Sequence, residues 1–332
     1  MIPTPPPACR EVARVLKSGS RFLMLPHIHI DGDDLGSMVG LAAALDRLGK
    51  ESYLYSPDQV PEVFRWLPGS ERIQNRMPQG PFDAVILMEC PAEGRLPPGI
   101  RPRELGRVVI NFDHHPGNTM PADVHWVEPE RAALGEMAVL LVDSLGVPLD
   151  REIATALYVA LVTDSGNFQY SQVSAQTHRI AARLVEQIGD VSEICRRLFR
   201  DRPVTEMVLT GKVLQTLRTS ADGQVAWADL DSEMLRATGA RPDDAQNLVA
   251  DVNRVRGTRV FALFKNLNPG QVRVSLRSTG PEVNQVAALF GGGGHRLAAS
   301  LTVENIGLEK ARHQVLEALQ RKMAESAPPE EF

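Results

Sequence analysis

The chain reads as an α/β protein built on a mostly parallel sheet flanked by helices, followed by a smaller mixed α/β domain with an active cleft expected between the two. Three observations predict it. Short apolar runs alternate with amphipathic helical stretches, as βαβ units do. The runs at 21–26, 82–88 and 108–110 are almost continuously apolar, as strands covered on both faces are. Each of these runs stops abruptly at acids or imidazoles, and ligands of open α/β sheets sit outside the strand carboxyl ends.

Taken in order, residues 10–18 are expected to be helical and 21–26 a strand that runs into His27-Ile28-His29-Ile30-Asp31-Gly32-Asp33-Asp34. A helix follows, because Leu35, Met38, Leu41, Ala42, Leu45 and Leu48 recur at helical spacing, with Gly49 ending it and Asp33 or Asp34 as the expected N-cap. Residues 51–56 form a short strand, and 82–88 a buried one followed directly by Glu89. The strand ending in Asp113-His114-His115 comes next, then helices at 133–146 and 151–162, the second running into Thr163-Asp164-Ser165-Gly166. Helices at about 174–188, 190–200 and 203–218 follow. From residue 222 the texture changes: 225–230, 259–264 and 271–277 alternate like antiparallel strands with one exposed face. Four glycines lead to His295, and a strand and a helix at 308–323 complete the chain. The expected domains are 1–195, a helical connector at 196–221, and 222–325.

Bulk properties narrow the function. A length of 332 residues suits two domains, and a net charge of −5 provides no global field for a long duplex or an anionic membrane. The cysteines, Cys9, Cys90 and Cys195, are odd in number and scattered, which fits a reducing compartment and neither a disulfide framework nor a zinc ribbon. With no apolar run of membrane-span length and no basic-then-apolar leader, a cytoplasmic protein is expected. The glycine run at 291–294 lacks the Lys-Ser/Thr of a nucleotide P-loop, and no Gly-x-Gly-x-x-Gly follows the first strand, which disfavours an NTPase and a nicotinamide dehydrogenase.

His27, Asp31 and Asp33 follow one strand, Glu89 another and Asp113-His114-His115 a third, with Asp164 at a helix end. Parallel neighbours lie about 5 Å apart, so these groups can meet around a common ion. Acids gathered at one sheet edge repel unless a cation joins them. Mixed imidazole and carboxylate donors suit manganese, iron or zinc better than calcium, and there are enough of them for two ions, an arrangement that hydrolyses phosphoesters. In the C-terminal part, Arg273, Ser275 and Arg277 alternate on one strand face beside the glycine run, and arginine forks suit phosphate. Glycine backbone allows close approach to an anion.

The set resembles the DHH phosphoesterase superfamily. His27-x3-Asp31-x-Asp33-x2-Gly36-Ser37 looks like its first motif, Asp113-His114-His115 its namesake and Thr163-Asp164-Ser165-Gly166 its fourth. Arg273-Val-Ser-Leu-Arg277, Val283-Asn284 and Gly291-Gly-Gly-Gly-His295-x2-Ala298-Ala299 resemble its DHH-associated C-terminal domain. Length and tail domain look most like the oligoribonuclease (nano-RNase) and phosphoadenosine-phosphate phosphatase subgroup. The resemblance implies a manganese-dependent enzyme with two ions (Mg2+, Fe2+ or Zn2+ being alternatives) that shortens very short oligonucleotides to mononucleotides through a two-metal-activated hydroxide. A nucleotide bisphosphate, 3'-phosphoadenosine 5'-phosphate, is a further implied substrate. By the same resemblance His27 and Asp31 would bind one metal, Asp33, His114 and Asp164 the other, and Glu89 would bridge. Asp113 would orient a histidine, and His115 would contact the scissile phosphate or leaving oxygen; Asp113, His115 and Asp33 form the expected catalytic set. Arg273, Ser275, Arg277, Gly292, Gly293, Gly294 and His295 would hold substrate. A homodimer is compatible with these readings.

Two departures stand out. The family carries aspartate at the bridging position, and Glu89 reaches about one C–C bond, roughly 1.5 Å, further. Carboxylates tolerate several binding modes, so the bridge is expected to survive; the alternatives are a weakened nucleotide-binding homologue, or an enzyme for linear or cyclic signalling dinucleotides. His29-Ile30 stands where the family usually has Asn-Pro, and His29 is read as either an extra metal or phosphate contact or a solvent-facing loop residue.

Overall fold

The computed structural model describes residues 5–245, 248–249 and 253–325, without the side chains of Asp243 and His295. These residues divide between Asp201 and Arg202 into two compact units.

Unit one opens with helix α1 (Pro7–Ser18) and strand β1 (Arg21–Leu25), followed by α2 (Gly32–Arg47), β2 (Glu51–Tyr55), the two-residue β3 (Ile73–Gln74) and β4 (Phe82–Met88). A short α3 (Pro102–Leu105), β5 (Gly106–Asp113) and β6 (Val124–Val127) complete the sheet. Helices α4 (Leu134–Leu145), α5 (Arg151–Asp164), α6 (Ala175–Ile188) and α7 (Ser192–Phe199) close the unit. The strands are all parallel in the order β3-β2-β1-β4-β5-β6. The chain therefore winds outward twice, once from β1 and once from β4, and the reversal lies between those two strands. That is the topological switch point at which such sheets bind ligands.

Side chains alternate across the sheet. Phe22 and Met24 join a large core with α1, α2, α4, α5 and α6, while Leu23 and Leu25 join a smaller one closed by loop residues such as Leu96 and Met120. Helices α2 and α5 pack closely because Gly36 has no side chain: a Cβ there would lie 2.5 Å from the Ala156 carbonyl oxygen. This approach brings the first turn of α2 beside the last turn of α5. Two details depart from the sequence reading. Asp31, not Asp33 or Asp34, caps α2, accepting from the N–H of both later residues. Strand β6, with Trp126 buried in it, carries too few residues to stand out by periodicity. Asp83, at the opposite end of β4, accepts hydrogen bonds from Ser20 and Arg21 N–H, and so serves the start of β1.

Unit two holds α8 (Val204–Gln215), β7 (Arg218–Thr219), β8 (Val225–Asp231), α9 (Ser232–Thr238), β9 (Val260–Asn268) and β10 (Gln271–Ser278). It continues with α10 (Val283–Leu289), β11 (Gly293–His295), β12 (Ala298–Glu304) and α11 (Leu308–Glu325). The sheet order is β11-β12-β10-β9-β8-β7. The alternation led to an antiparallel reading throughout, but β8 and β9 are parallel. Their connection is long enough for a crossover and carries α9, as a parallel pair requires. Val272, Val274 and Leu276 pack towards Val283, Val286, Val315 and Leu319 of the flanking helices. On the other face Ala226, Ala228, Phe261 and Leu263 pack with Leu209, Val213 and Leu235.

Candidate metal centre

Three strands and two helices deliver the polar groups. His27 follows β1 and is buried. Its Nδ1 lies 2.8 Å from the Ile28 carbonyl oxygen, so the N–H sits on Nδ1 and the lone pair on Nε2. Nε2 is 3.9 Å from Asp31 Oδ2. Asp33, in the first turn of α2, is fully enclosed and accepts from Ser37 Oγ at 3.2 Å and Gly135 N–H at 2.9 Å, and also from Leu134 N–H. Helix α4 has no side-chain cap of its own at Ala133, so Asp33 caps it from another helix.

Glu89 follows β4 with φ +53°, a left-handed conformation uncommon for a residue with a side chain, and backbone in such regions concentrates at functional sites. Its N–H still donates to the Phe112 carbonyl at 3.1 Å, which continues the ladder to β5. Glu89 Oε1 lies 2.9 Å from His114 Nε2. His114 Nδ1 lies 3.0 Å from the Arg131 carbonyl oxygen, which again directs the other ring nitrogen inward. Around His114 Nε2 stand Asp164 Oδ2 at 3.4 Å and Asp33 Oδ2 at 3.7 Å.

The potential ligand atoms fall into groups whose members all lie within 4.8 Å of one another: His27, Asp31 and Glu89; Asp33, His114 and Asp164; and Glu89, His114 and His115. Glu89 thus belongs to the same cluster as His27 and also to one with His114. The donor set fits divalent cations on its own chemistry. An imidazole nitrogen, His114 Nε2, faces Glu89 Oε1, a buried oxygen with no hydrogen bond among the described residues, and the two hold that distance with a proton or a metal cation between them. Burial, followed by mutual repulsion, pushes Asp33 and Glu89 well above the ordinary carboxylate range. Burial alone would lower His114, but the charges of Asp164 and Asp33 outweigh it and raise it. His27, for which burial dominates, falls to about 4.

Asp113 belongs to a different arrangement. Burial works to raise it, yet hydrogen bonds from His115 outweigh that and hold it below the usual range. Asp113 Oδ1 accepts from the His115 ring Nδ1 at 2.7 Å and from its backbone N–H at 2.9 Å, and Oδ2 accepts from Asn118 Nδ2. The histidine that Asp113 orients is therefore His115, whose side chain keeps 12% of its surface exposed.

Asp34 was not read as part of this site. It is fully buried beside His27, 3.3 Å from Nδ1, with neither oxygen hydrogen-bonded. The signal available was a third acid in a stretch where one cap suffices. His29 is exposed at φ +66°, with its N–H on Asp58, and takes the loop reading. Arg95 contributes its carbonyl, which accepts from Ile28 N–H at 2.9 Å. Glu136 is buried 3.7 Å from Arg131 Nη1 and stands outside the metal-ligand groups.

In unit two, Arg273, Ser275 and Arg277 share one face of β10, in register with Thr302, Ser300 and Ala298 of β12. Only the second half of the glycine run is strand. Gly293, Gly294 and His295 form β11, an edge strand whose backbone pairs with Ser300, Ala299 and Ala298. Gly292 is glycine because a Cβ would lie 2.2 Å from the Ser300 carbonyl oxygen. Only the backbone of His295 lies within the described residues.

Residues 21–161 match the DHH family, N-terminal domain, and residues 223–325 match the DHHA1 domain. Over 316 residues, 95% of this chain and 94% of the relative, the sequence is 33% identical to the bifunctional oligoribonuclease and PAP phosphatase NrnA of Thermus thermophilus. The fold is shared with an exopolyphosphatase-related protein from Bacteroides fragilis, at a TM-score of 0.81 and 22% identity over 95% of this chain and 96% of that one. It is shared more distantly with the exonuclease RecJ bound to manganese, at a TM-score of 0.55 and 17% identity over 94% of each chain. No helix among the described residues is long and apolar enough to cross a membrane. Motifs, sheet order and sequence similarity agree, and the chain belongs to the DHH phosphoesterase superfamily, with a DHH domain followed by a DHHA1 domain.

Proposed function

We propose that this protein is a manganese-dependent phosphoesterase that releases mononucleotides from very short oligonucleotides and removes a phosphate from nucleotide bisphosphates such as 3'-phosphoadenosine 5'-phosphate. The observation that carries the reading is the cluster at the sheet's switch point, where an imidazole lone pair and unsatisfied buried carboxylates converge. The 33% identity to a protein named for both activities supports the substrate class. Mixed imidazole and carboxylate donors favour Mn2+, with Mg2+, Fe2+ or Zn2+ as competitors for the same set.

In this reading His27 and Asp31 hold one ion, Asp33, His114 and Asp164 the other, and Glu89 spans both. Such a pair of cations supplies Lewis acidity and charge stabilisation for hydrolysis of a phosphoester. The protein fixes the donors: carbonyl oxygens of Ile28 and Arg131 set the tautomers of His27 and His114, and the α4 N-terminus holds Asp33. His115, with Nδ1–H on Asp113, offers Nε2 to the scissile phosphate or the leaving oxygen. Water adds to phosphorus, the P–O ester bond breaks and the leaving oxygen takes a proton. Arg273, Ser275, Arg277 and the backbone of β11 grip the substrate's phosphate.

Incubation of the purified chain with a labelled dinucleotide and with the bisphosphate, each with Mn2+ and with EDTA, tests this. Turnover that needs the ion is expected. No turnover of either substrate overturns the reading.

A further inference from the structure

The face of the unit-two sheet that carries Arg273 and Arg277 changes character across its width. Over β8 and β9 it is apolar and packs with helices, whereas on β10 and β12 it presents Arg273, Ser275, Arg277, Ser300 and Thr302. Lys265 stands at the border. It pairs in register with Arg273 on one side and with the buried Leu230 on the other. Residues opposite each other on antiparallel strands share a face with Cβ atoms about 5 Å apart, and like charges in such a pair are destabilising. Lys265 is half-buried, with Nζ donating to the Ala245 carbonyl at 2.9 Å. Among the described residues neither Lys265 nor Arg273 has an ion-pair partner. The sheet thus places two like charges side by side, one of them partly out of water, with no acid among the described residues to balance them.

We propose that Lys265 reads a terminal phosphomonoester of the substrate, held jointly with Arg273, so that the protein prefers ligands carrying a free phosphate end over the same ligands ending in a hydroxyl. This rests on the short-oligonucleotide or bisphosphate reading of the substrate. A phosphomonoester carries about −1.5 to −2 charges at neutral pH, against one for an internal phosphodiester, so it is the group that two or three convergent cations match. The two residue types divide the work: arginine presents a planar fork and lysine a compact charge with rotatable donors. Two of the three ammonium protons remain after the bond to Ala245. Burial, then the charges of Arg273 and Arg277, pull the lysine down to about 8, the strain expected of cations gathered for an anion.

The test measures binding in EDTA at fixed salt, so it does not depend on catalysis. The probes are one dinucleotide with and without a 5'-phosphate, and adenosine 3',5'-bisphosphate against adenosine 3'-monophosphate. The wild-type chain is expected to favour the extra phosphate by about ten-fold, the equivalent of one good charged contact. Lys265→Met should narrow that ratio to within about two-fold, and Lys265→Arg should keep it. If Lys265→Met melts early, Lys265→Gln carries the same comparison. Preference within the dinucleotide pair assigns the phosphate to an oligonucleotide end, and preference within the adenosine pair to a bisphosphate. No preference in either pair, or an unchanged ratio in the neutral variant, overturns the proposal. Failure of the functional reading shows separately, as no turnover of either substrate class with Mn2+.

Discussion

Replacing Glu89 by glutamine should stabilise the protein in EDTA and weaken its response to manganese. Glu89 is 2% exposed, and Oε1 sits 2.9 Å from a ring nitrogen whose lone pair faces it. A glutamine amide in the same place donates N–H to that lone pair at every pH, whereas the carboxyl does so only while protonated, so the gain belongs to melts at a pH where Glu89 is ionised. Leaving a buried acceptor unsatisfied costs about 1–3 kcal/mol. For a unit of this size 1 kcal/mol moves the melting temperature by about 2–4 °C, so a rise of roughly 2–12 °C is expected. Manganese acts in the opposite direction. An ion present at about a thousand times its dissociation constant stabilises by about 4 kcal/mol. Neutralising Glu89, the residue proposed to span both ions, should remove most of that gain. Thermal melts of wild type and Glu89→Gln in EDTA and across a manganese titration measure both effects. A variant that melts lower than wild type in EDTA, yet keeps the full manganese shift, refutes the reasoning.

Other outcomes follow from the same geometry. In EDTA the melting temperature should fall as pH rises from 6.5 to 8, and manganese should flatten the slope. Asp33, Asp34, Glu89 and His114 are all raised in the folded protein, so their stabilising protonation is complete at low pH and is lost as pH climbs through the folded values. His27, lowered to about 4 from 6.5, opposes this most between those two values and fades above 6.5; melts rising with pH up to 8 would contradict the acid-cluster reading. Gly36→Ala places a methyl 2.5 Å from the Ala156 carbonyl oxygen and should cost about 1–3 kcal/mol while weakening the manganese shift. Gly211→Ala, with open space around it, is the control expected to melt no lower. Asp113→Asn should lower turnover of a dinucleotide by at least about 100-fold, by releasing His115, while calorimetric manganese affinity holds; loss of affinity as large as the loss of turnover would place His115 or Asp113 among the ligands instead.

The sequence by itself determined the strands and what stands at their ends. The runs through β1, β4 and β5 are local apolar patterns, and the polar groups follow them directly, so periodicity and chain order located His27, Asp31, Asp33, Glu89 and Asp113-His114-His115 at one edge. The family motifs came from the same residues. The tertiary structure decided what those residues touch. Asp33 caps α4 from a hundred residues away because Ala133 cannot, and no local pattern encodes a cap borrowed from another helix. Asp31 took the α2 cap, which left Asp34 buried beside His27 with neither oxygen hydrogen-bonded among the described residues. Glu89 leaves β4 at a positive φ, a property of how the strand ends that the residue order does not announce. Gly36 is unremarkable along the chain and becomes necessary only where α5 crosses α2. Lys265 reads as an ordinary strand lysine until the register sets it against Arg273. Secondary structure follows from neighbours in sequence, whereas caps, close approaches and opposed charges depend on neighbours in space, and those exist only once the chain has folded.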